Sequence, residues 1–197
     1  MKPKIILVGG GGHCISCIDV IEQEDKFQIA GVVDAQKTGE HILGYPVLGC
    51  DKDLADIRKN YEYALVTIGQ IRTPEIRIEL YQKLTLTGFI LPAIISPRAY
   101  VSKYAVVSDG TVVMHDAVIN AQARIGVNCI INTKALIEHD SKIGSHCHIS
   151  TGAVVNGDVV IGNGTFIGSN AVVRHSLHIN ENSFIRASSL FSGDENE

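Results

Sequence analysis

From Ile95 to Ile185 the chain places an Ile or Val at every sixth residue: Ile95, Val101, Val107, Val113, Ile119, Ile125, Ile131, Ile137, Ile143, Ile149, Val155, Ile161, Ile167, Val173, Ile179 and Ile185. A six-residue repeat of this kind predicts a parallel β-helix, three hexads to a coil, with one short strand on each face. The β-branched residue of each hexad points inward, where its stiff χ1 suits a strand. Four residues later the position is mostly small, as at Ala99, Ala105, Ala117, Ala123, Ala135, Ser141, Ala153, Ala171 and Ser183. Small residues there let the chain turn the corner of a narrow prism. The run is long enough for about five coils, stacked at about 4.7–4.9 Å, and its end coils need capping because they expose unpaired edges.

The first ninety residues carry a different pattern. Lys4–Val8 reads as a buried parallel strand, followed by Gly9–Gly12 and an apolar-periodic helix from about Ile15 to Glu24. Ile29–Asp34 is a second strand, Gly44-Tyr45-Pro46 a turn, Asp51–Asn60 a short helix and Tyr63–Ile68 a third strand. Pro74–Leu86 is an amphipathic helix with Pro near its first turn. The order strand, glycine loop, helix, strand opens a Rossmann-like nucleotide-binding unit. Its glycines let backbone N–H groups approach a phosphate at a helix N-terminus. The fingerprint is incomplete, because in G-x-G-x-x-G register from Gly9 the third glycine is Cys14. Two readings stay open: a phosphate or nucleotide site, with Asp34 placed to take ribose or base hydrogen bonds, or a merely tight turn. The division expected is a Rossmann-like domain over 1–92 and a β-helix over 93–197. No Gly/Ser linker separates them, so they should pack directly.

Composition narrows the function. The chain has 197 residues, 45% of them hydrophobic, and a net charge of −4 without a basic block. That argues against nucleic acid as the main partner. The N-terminal stretch lacks the regions of a signal peptide, and no apolar run approaches the ~18 residues of a membrane span; a cytoplasmic location without a membrane span is expected. The five cysteines do not form a disulfide framework. Cys14 and Cys17 form an isolated C-x-x-C, read as two thiols on one helix rather than a redox or metal pair. Cys129 and Cys147 lie one coil apart and should stack as free thiols.

Histidines are the candidate chemistry of the repeat: His115, His139, His146 and His148, then His175 and His178. Glu138-His139-Asp140 is the densest polar cluster. His139 sits two positions after an inward Ile and so faces outward. A neutral imidazole beside a carboxylate is a ready general base, with its tautomer fixed and its basicity raised; the plainer alternative is an ordinary surface histidine. His146 and His148 alternate faces on a strand and cannot easily share an ion, so no metal is expected.

At these residues the chain resembles the PglD/NeuD group of bacterial sugar acetyltransferases. The likeness runs through Gly9–His13, Asp34, Thr67-Ile68-Gly69, Val118-Ile119-Asn120, Asn132 to Asp140, and Ile143-Gly144 to Ser150. The resemblance implies an α/β Rossmann-like domain followed by an all-β left-handed parallel β-helix. It implies a homotrimer with three active sites between neighbouring β-helices, acetyl-CoA as co-substrate along the groove, and a nucleotide-linked amino sugar of the UDP-4-amino-sugar type as acceptor, for surface-glycan or glycoprotein synthesis. By the same resemblance His139 is the general base and Asp140 its supporting acid, an Asp where Glu is usual. Gly11, Gly12, His13, Asp34 and Gly69 fall in the nucleotide pocket, and Asn120 lines the acceptor pocket. His148, Gly157 and Ser169 contact the cofactor, Gly157 through its backbone N–H. Cys147 belongs to the inward corner column and is not a nucleophile. Three departures are visible: Cys14 for the third glycine, Ser96-Pro97 for the usual His-Pro, and no Gly-x-Pro-Ala-type loop in the final Phe191–Glu197.

Alternative functions are a sialic-acid-type sugar O-acetyltransferase using the same base on a hydroxyl, and a non-catalytic β-helix scaffold trimer. Outward apolar residues such as Val112, Val118 and Val172 are expected to be covered by assembly.

Overall fold

The computed structural model describes residues 1–193. Its first half is a five-stranded sheet in the order β3-β4-β2-β1-β5. The strands are β1 (Lys4–Val8), β2 (Gln28–Val33), β3 (His41–Ile42), β4 (Tyr45–Gly49) and β5 (Tyr63–Val66), with helices α1 (Gly12–Glu24), α2 (Leu54–Arg58) and α3 (Glu75–Leu86). β1 pairs in parallel with both β2 and β5, and β2 with β4. Cys14, Cys17, Ile18 and Ile21 fall on one buried face of α1 at the spacing a half-buried helix requires. α2 and α3 cover the other face of the sheet through Leu54, Ile57, Leu80 and Leu84.

The segment around Gly44 departs from expectation. The turn is Leu43-Gly44, both with positive φ (47° and 86°), and Tyr45-Pro46 already belongs to β4, paired antiparallel with β3. A two-residue connection with positive φ at both positions matches the twist of a hairpin. α1 starts at Gly12 rather than Ile15, because Gly11 serves as its N-cap. Pro74 is the N-cap of α3 rather than its first helical residue.

The second half is a parallel β-helix of two-residue strands from β6 (Ile94–Ile95) to β22 (Leu190–Phe191), in three sheets of six, five and six strands. The sheet beginning at β6 is called face one here, that beginning at β7 (Tyr100–Val101) face two, and that beginning at β8 (Val106–Val107) face three. The interior is the predicted Ile/Val column together with the small corner residues and Cys129 and Cys147. These two thiols stack: the Cys147 amide donates to Cys129 Sγ at 3.4 Å, and both cysteines are free. From Val107 onward, the backbone is left-handed three residues after each inward position, as at Asp116, Asn128, Asp140, Asp158, Asn170 and Asn182. Asn, Asp and Gly dominate there because they tolerate αL most readily.

Face one is covered by the first domain. Ile94, Val112, Met114 and Ile130 share a core with α1. Val112, expected on an assembly surface, is therefore buried at 1% exposure within its own chain. Face two is the one left apolar and uncovered by that domain, with Tyr100, Val118, Leu136, Val154, Val172 and Leu190 in register on successive rungs.

A polar seam joins the halves. Arg77 of α3 is buried and donates to the Ile68 carbonyl at 2.5 Å, the Asn128 carbonyl at 2.8 Å and Asn128 Oδ1 at 2.9 Å. Burial lowers its pKa to about 10. His115 lies between Ser96 Oγ at 2.6 Å and Asp19 Oδ2 of α1 at 2.7 Å. The Ser96 that replaces a histidine in the resemblance thus serves this seam.

Candidate functional site

Two concave regions collect the sequence candidates. The first is a cleft of about 540 Å³ at the C-terminal ends of β1 and β5, lined by Gly9 to His13, Asp34, Gln36, Thr67 to Gly69, Ile76 and Leu80. Its loop is fastened from three sides. Asp34 Oδ2 accepts the Gly10 N–H at 2.7 Å, Lys37 Nζ donates to the Gly10 carbonyl at 2.7 Å, and Thr67 Oγ1 donates to the Gly9 carbonyl at 2.7 Å. A Cβ at Gly10 would meet Asp34 Oδ2 at 3.0 Å, whereas Gly11 and Gly12 face open space. α1 begins here with no side-chain cap and no acidic residue in its first turn. Its positive end and free amides therefore point into the cleft, an arrangement suited to an anion.

Asp34 occupies the expected place, but both its oxygens already serve the protein: Oδ1 accepts the Gln36 N–H at 2.9 Å. It shapes the loop first, and any nucleotide contact uses its remaining lone pairs. His13 stands at the rim beside Gly69, and burial together with Arg77 and His148 drives its pKa down to about 3, so the imidazole is neutral. Lys37 was not among the sequence candidates. It follows Asp34 by three residues in a loop, where no periodic signal picks it out.

The second region is a groove of about 640 Å³ along the corner between faces two and three, lined by Glu138, His139, Asn156, Gly157, Asp158, Arg174, His175 and Ser176. Three successive rungs supply these residues in register. His139 Nδ1 lies 2.8 Å from Asp140 Oδ2, so the shorter Asp reaches the ring. Asp140 is in the left-handed conformation, φ 63°, which turns its side chain beside its neighbour's. With Nδ1–H donated to Asp140, Nε2 keeps a free lone pair, the arrangement a general base needs. The Asp140 hydrogen bond, with the charges of Asp140, Glu138 and Asp158, raises the His139 pKa above the ordinary imidazole value.

A Cβ at Gly157 would come within 2.8 Å of His139 Cε1 and Nε2. The ring therefore leans along the axis over Gly157, and only glycine leaves it that room. Among the described residues the Gly157 N–H has no hydrogen-bond acceptor. Asn120 Nδ2 donates to Glu138 Oε2 at 2.8 Å, which places Asn120 one coil below the rung of His139 and Glu138 on it. Asn156, Asp158 and Arg174 line the groove without having been singled out, beside Glu138 of the polar cluster the sequence marked. Their signal was the eighteen-residue coil itself, which stacks position upon position above His139.

His148 and Ser169 are elsewhere. Both lie toward the edge between faces one and two, across face two from His139. Ser169 Oγ is 3.0 Å from Ser150 Oγ. His148 is 7% exposed, with Nδ1 on the Gln70 carbonyl at 2.6 Å and Nε2 on the Asn132 amide at 3.0 Å. Burial pushes its pKa down to about 4. Within one chain, His139 and Gly157 do not meet His148 and Ser169. Among the described residues no group of three or more His, Cys, Asp or Glu is arranged to hold a metal, and no helix is long and apolar enough to cross a membrane.

Residues 4–84 match the family model of the PglD N-terminal domain, and residues 158–193 match that of the bacterial transferase hexapeptide, six repeats. A perosamine N-acetyltransferase from Caulobacter crescentus, solved as a His-to-Asn mutant with CoA and GDP-perosamine, is 30% identical with a TM-score of 0.92, covering 98% of this chain and 90% of that one. The chain belongs to the PglD/NeuD-type family of sugar acetyltransferases. The acetyltransferase domain of PglB from Neisseria gonorrhoeae, solved with acetyl coenzyme A, is 27% identical at a TM-score of 0.89, covering 98% and 95% of the two chains. WeeI from Acinetobacter baumannii, 16% identical at a TM-score of 0.65 over 98% of each chain, shares the fold. No curated protein sequence matches. As a PglD/NeuD-type acyltransferase, the chain combines the Rossmann-like domain with the left-handed β-helix of that family.

Proposed function

We propose that this chain is an acetyl-CoA-dependent N-acetyltransferase acting on the amino group of a nucleotide-linked amino sugar, as a homotrimer. The observation that carries this reading is His139, with its Nδ1 on Asp140 and its Nε2 free over Gly157 in an open groove. The relatives bound to CoA and GDP-perosamine, or to acetyl coenzyme A, support the donor and acceptor classes.

The chemistry follows from the groove. The acceptor amine attacks the thioester carbonyl while His139 Nε2 takes a proton from its nitrogen. The C–N bond forms, and the carbonyl electrons move to an oxyanion for which the unpaired Gly157 N–H is a donor. The C–S bond then breaks, and the imidazolium returns its proton to the departing thiolate. No covalent enzyme intermediate is needed.

Glu138, Asp140 and Asp158 surround the base. Their field attracts an ammonium, which gives one proton to solvent before the amine attacks, and opposes an acceptor bearing its own carboxylate, which favours an amino sugar over a sialic acid. The N-terminal cleft is read as the nucleotide site. Packing face two around a three-fold axis would bring the His139 edge of one chain beside the His148–Ser169 edge of the next. That completes the set which a single chain leaves divided.

The test is a mass-spectrometric screen with acetyl-CoA against GDP-, UDP- and dTDP-amino sugars and free sialic acids. A product about 42 Da heavier than its acceptor is expected only with an amino sugar, as one acetyl group replaces one hydrogen, and His139→Ala should abolish it. Transfer to a sialic acid alone, or transfer untouched by His139→Ala, would overturn the reading.

A further inference from the structure

The groove holding His139 is electrically graded along the β-helix axis. Its lowest rung carries Glu138 and, beside the base, Asp140; its middle rung carries Asp158; its uppermost rung carries Arg174 and His175. Register is exact in the sense that Leu136, Val154 and Val172 pair in succession, so the residues two positions later stack one above another. Two rungs separate His139 from the Arg174 level, about 10 Å at the usual strand spacing.

The Arg174 backbone is pinned, since its N–H donates to the Phe191 carbonyl of the last strand at 3.0 Å. Its side chain is exposed and, among the described residues, has neither hydrogen-bond nor ion-pair partner. The imidazole of His139 leans over Gly157 toward this end. The reacting carbon therefore has the free guanidinium on the side to which the base points.

We infer that Arg174 is the anchor for the phosphates of CoA, holding the diphosphate or 3′-phosphate while the pantetheine arm reaches down the groove to His139. This rests on the acetyl-CoA reading above and adds to it a direction and a specificity residue. A thioester end is neutral and can enter the acidic lower rungs, whereas the phosphate end cannot. The gradient thus admits the donor in one orientation only. Arginine suits the role, because its planar fork meets two phosphate oxygens at once. The diphosphate of the nucleotide sugar has the same chemistry, but the N-terminal cleft with its free α1 amides already offers it a place.

The experiment compares donors on the intact protein. Acetyl-CoA, 3′-dephospho-acetyl-CoA and S-acetyl-pantetheine are each titrated with wild type, Arg174→Ala and Arg174→Lys, at a saturating amino-sugar acceptor. The expected result is a fall of about tenfold or more in the ratio of kcat/KM for acetyl-CoA over that for acetyl-pantetheine in Arg174→Ala. The loss should appear in KM, be partly restored by Arg174→Lys, and leave the KM of the nucleotide sugar in place. Added salt should weaken acetyl-CoA use by wild type more than by Arg174→Ala. The dephospho donor tells which phosphate is held: full retention of the Arg174 effect assigns the diphosphate, and its loss assigns the 3′-phosphate.

An unchanged donor ratio in an active enzyme overturns this inference alone, as does a penalty falling on the nucleotide sugar instead. A wild-type protein that neither binds CoA in calorimetry nor transfers acetyl overturns the functional reading, and this inference with it.

Discussion

At the residue scale the two candidate regions depend on three choices of residue. Asp140 holds the His139 tautomer and raises its pKa. A base must be unprotonated to work, so kcat/KM should rise with pH through a limb lying above the ordinary imidazole value. Asp140→Asn removes the carboxylate, and the limb should move to lower pH as the rate falls; a pH–rate profile of the two proteins checks this. Gly157 is the second choice. In Gly157→Ala the added Cβ would stand 2.8 Å from the imidazole, displacing the base with little effect on the fold. A kcat loss of about 100-fold is expected for such a misplacement, with an unaltered melting temperature. The third is Gly11, where an added Cβ would meet no atom within 4 Å. Gly11→Ala should keep stability while weakening the nucleotide-induced rise in melting temperature. It is a cleaner probe than Asp34→Ala, because Asp34 also braces the glycine loop.

At the element scale the hexad does two jobs. Its inward residue builds the core and its left-handed corner aims the polar residues. Ile137 is fully buried two residues before His139. Ile137→Ala should cost about 2–5 kcal/mol in denaturant unfolding, through lost transfer energy and the cavity left behind. The corner explains why the motif around His139 could be read from sequence while the groove could not. A side chain two residues past an inward Ile must face out, but what stands above it depends on coils eighteen residues away. The same stacking reveals Asn156, Asp158 and Arg174 once the coil length is applied. In the first domain, the apolar period identified the strands and helices, while the hairpin at Leu43-Gly44 escaped because a Leu with positive φ leaves no local signature.

At the scale of the molecule, buried imidazoles at the seam tie stability to pH. His148 and His13 are neutral in the fold, with pKa values lowered from 6.5 to about 4 and about 3. The unfolded chain binds protons as pH falls through 6.5, and the folded chain does so only at lower pH. Stability is therefore full above pH 6.5 and declines with acid toward pH 4. Melting temperatures across that range should show the decline, and replacing His148 with Gln should flatten part of it. Assembly has its own signature. If each site combines His139 from one chain with His148 from the next, His139→Ala and His148→Ala proteins, each inactive alone, should regain activity on co-assembly. Random trimers would restore about a quarter of the wild-type level, since two chains must fall in the right order at each interface. Val154→Glu on face two should give monomers in sedimentation and abolish activity while leaving His139 in place.

The amino-acid sequence by itself determined the β-helix, its inward column and the outward His139–Asp140 pair, because a six-residue period admits one way to bury sixteen β-branched side chains. It also marked the glycine loop and the strand, loop, helix, strand order around it. Tertiary structure alone decided that Val112 is covered by the chain's own first domain, that Asp34 is already engaged, and that His148 lies across a face from His139. Those facts depend on which surfaces meet, and contacts between residues far apart along the chain leave no periodic trace in either partner.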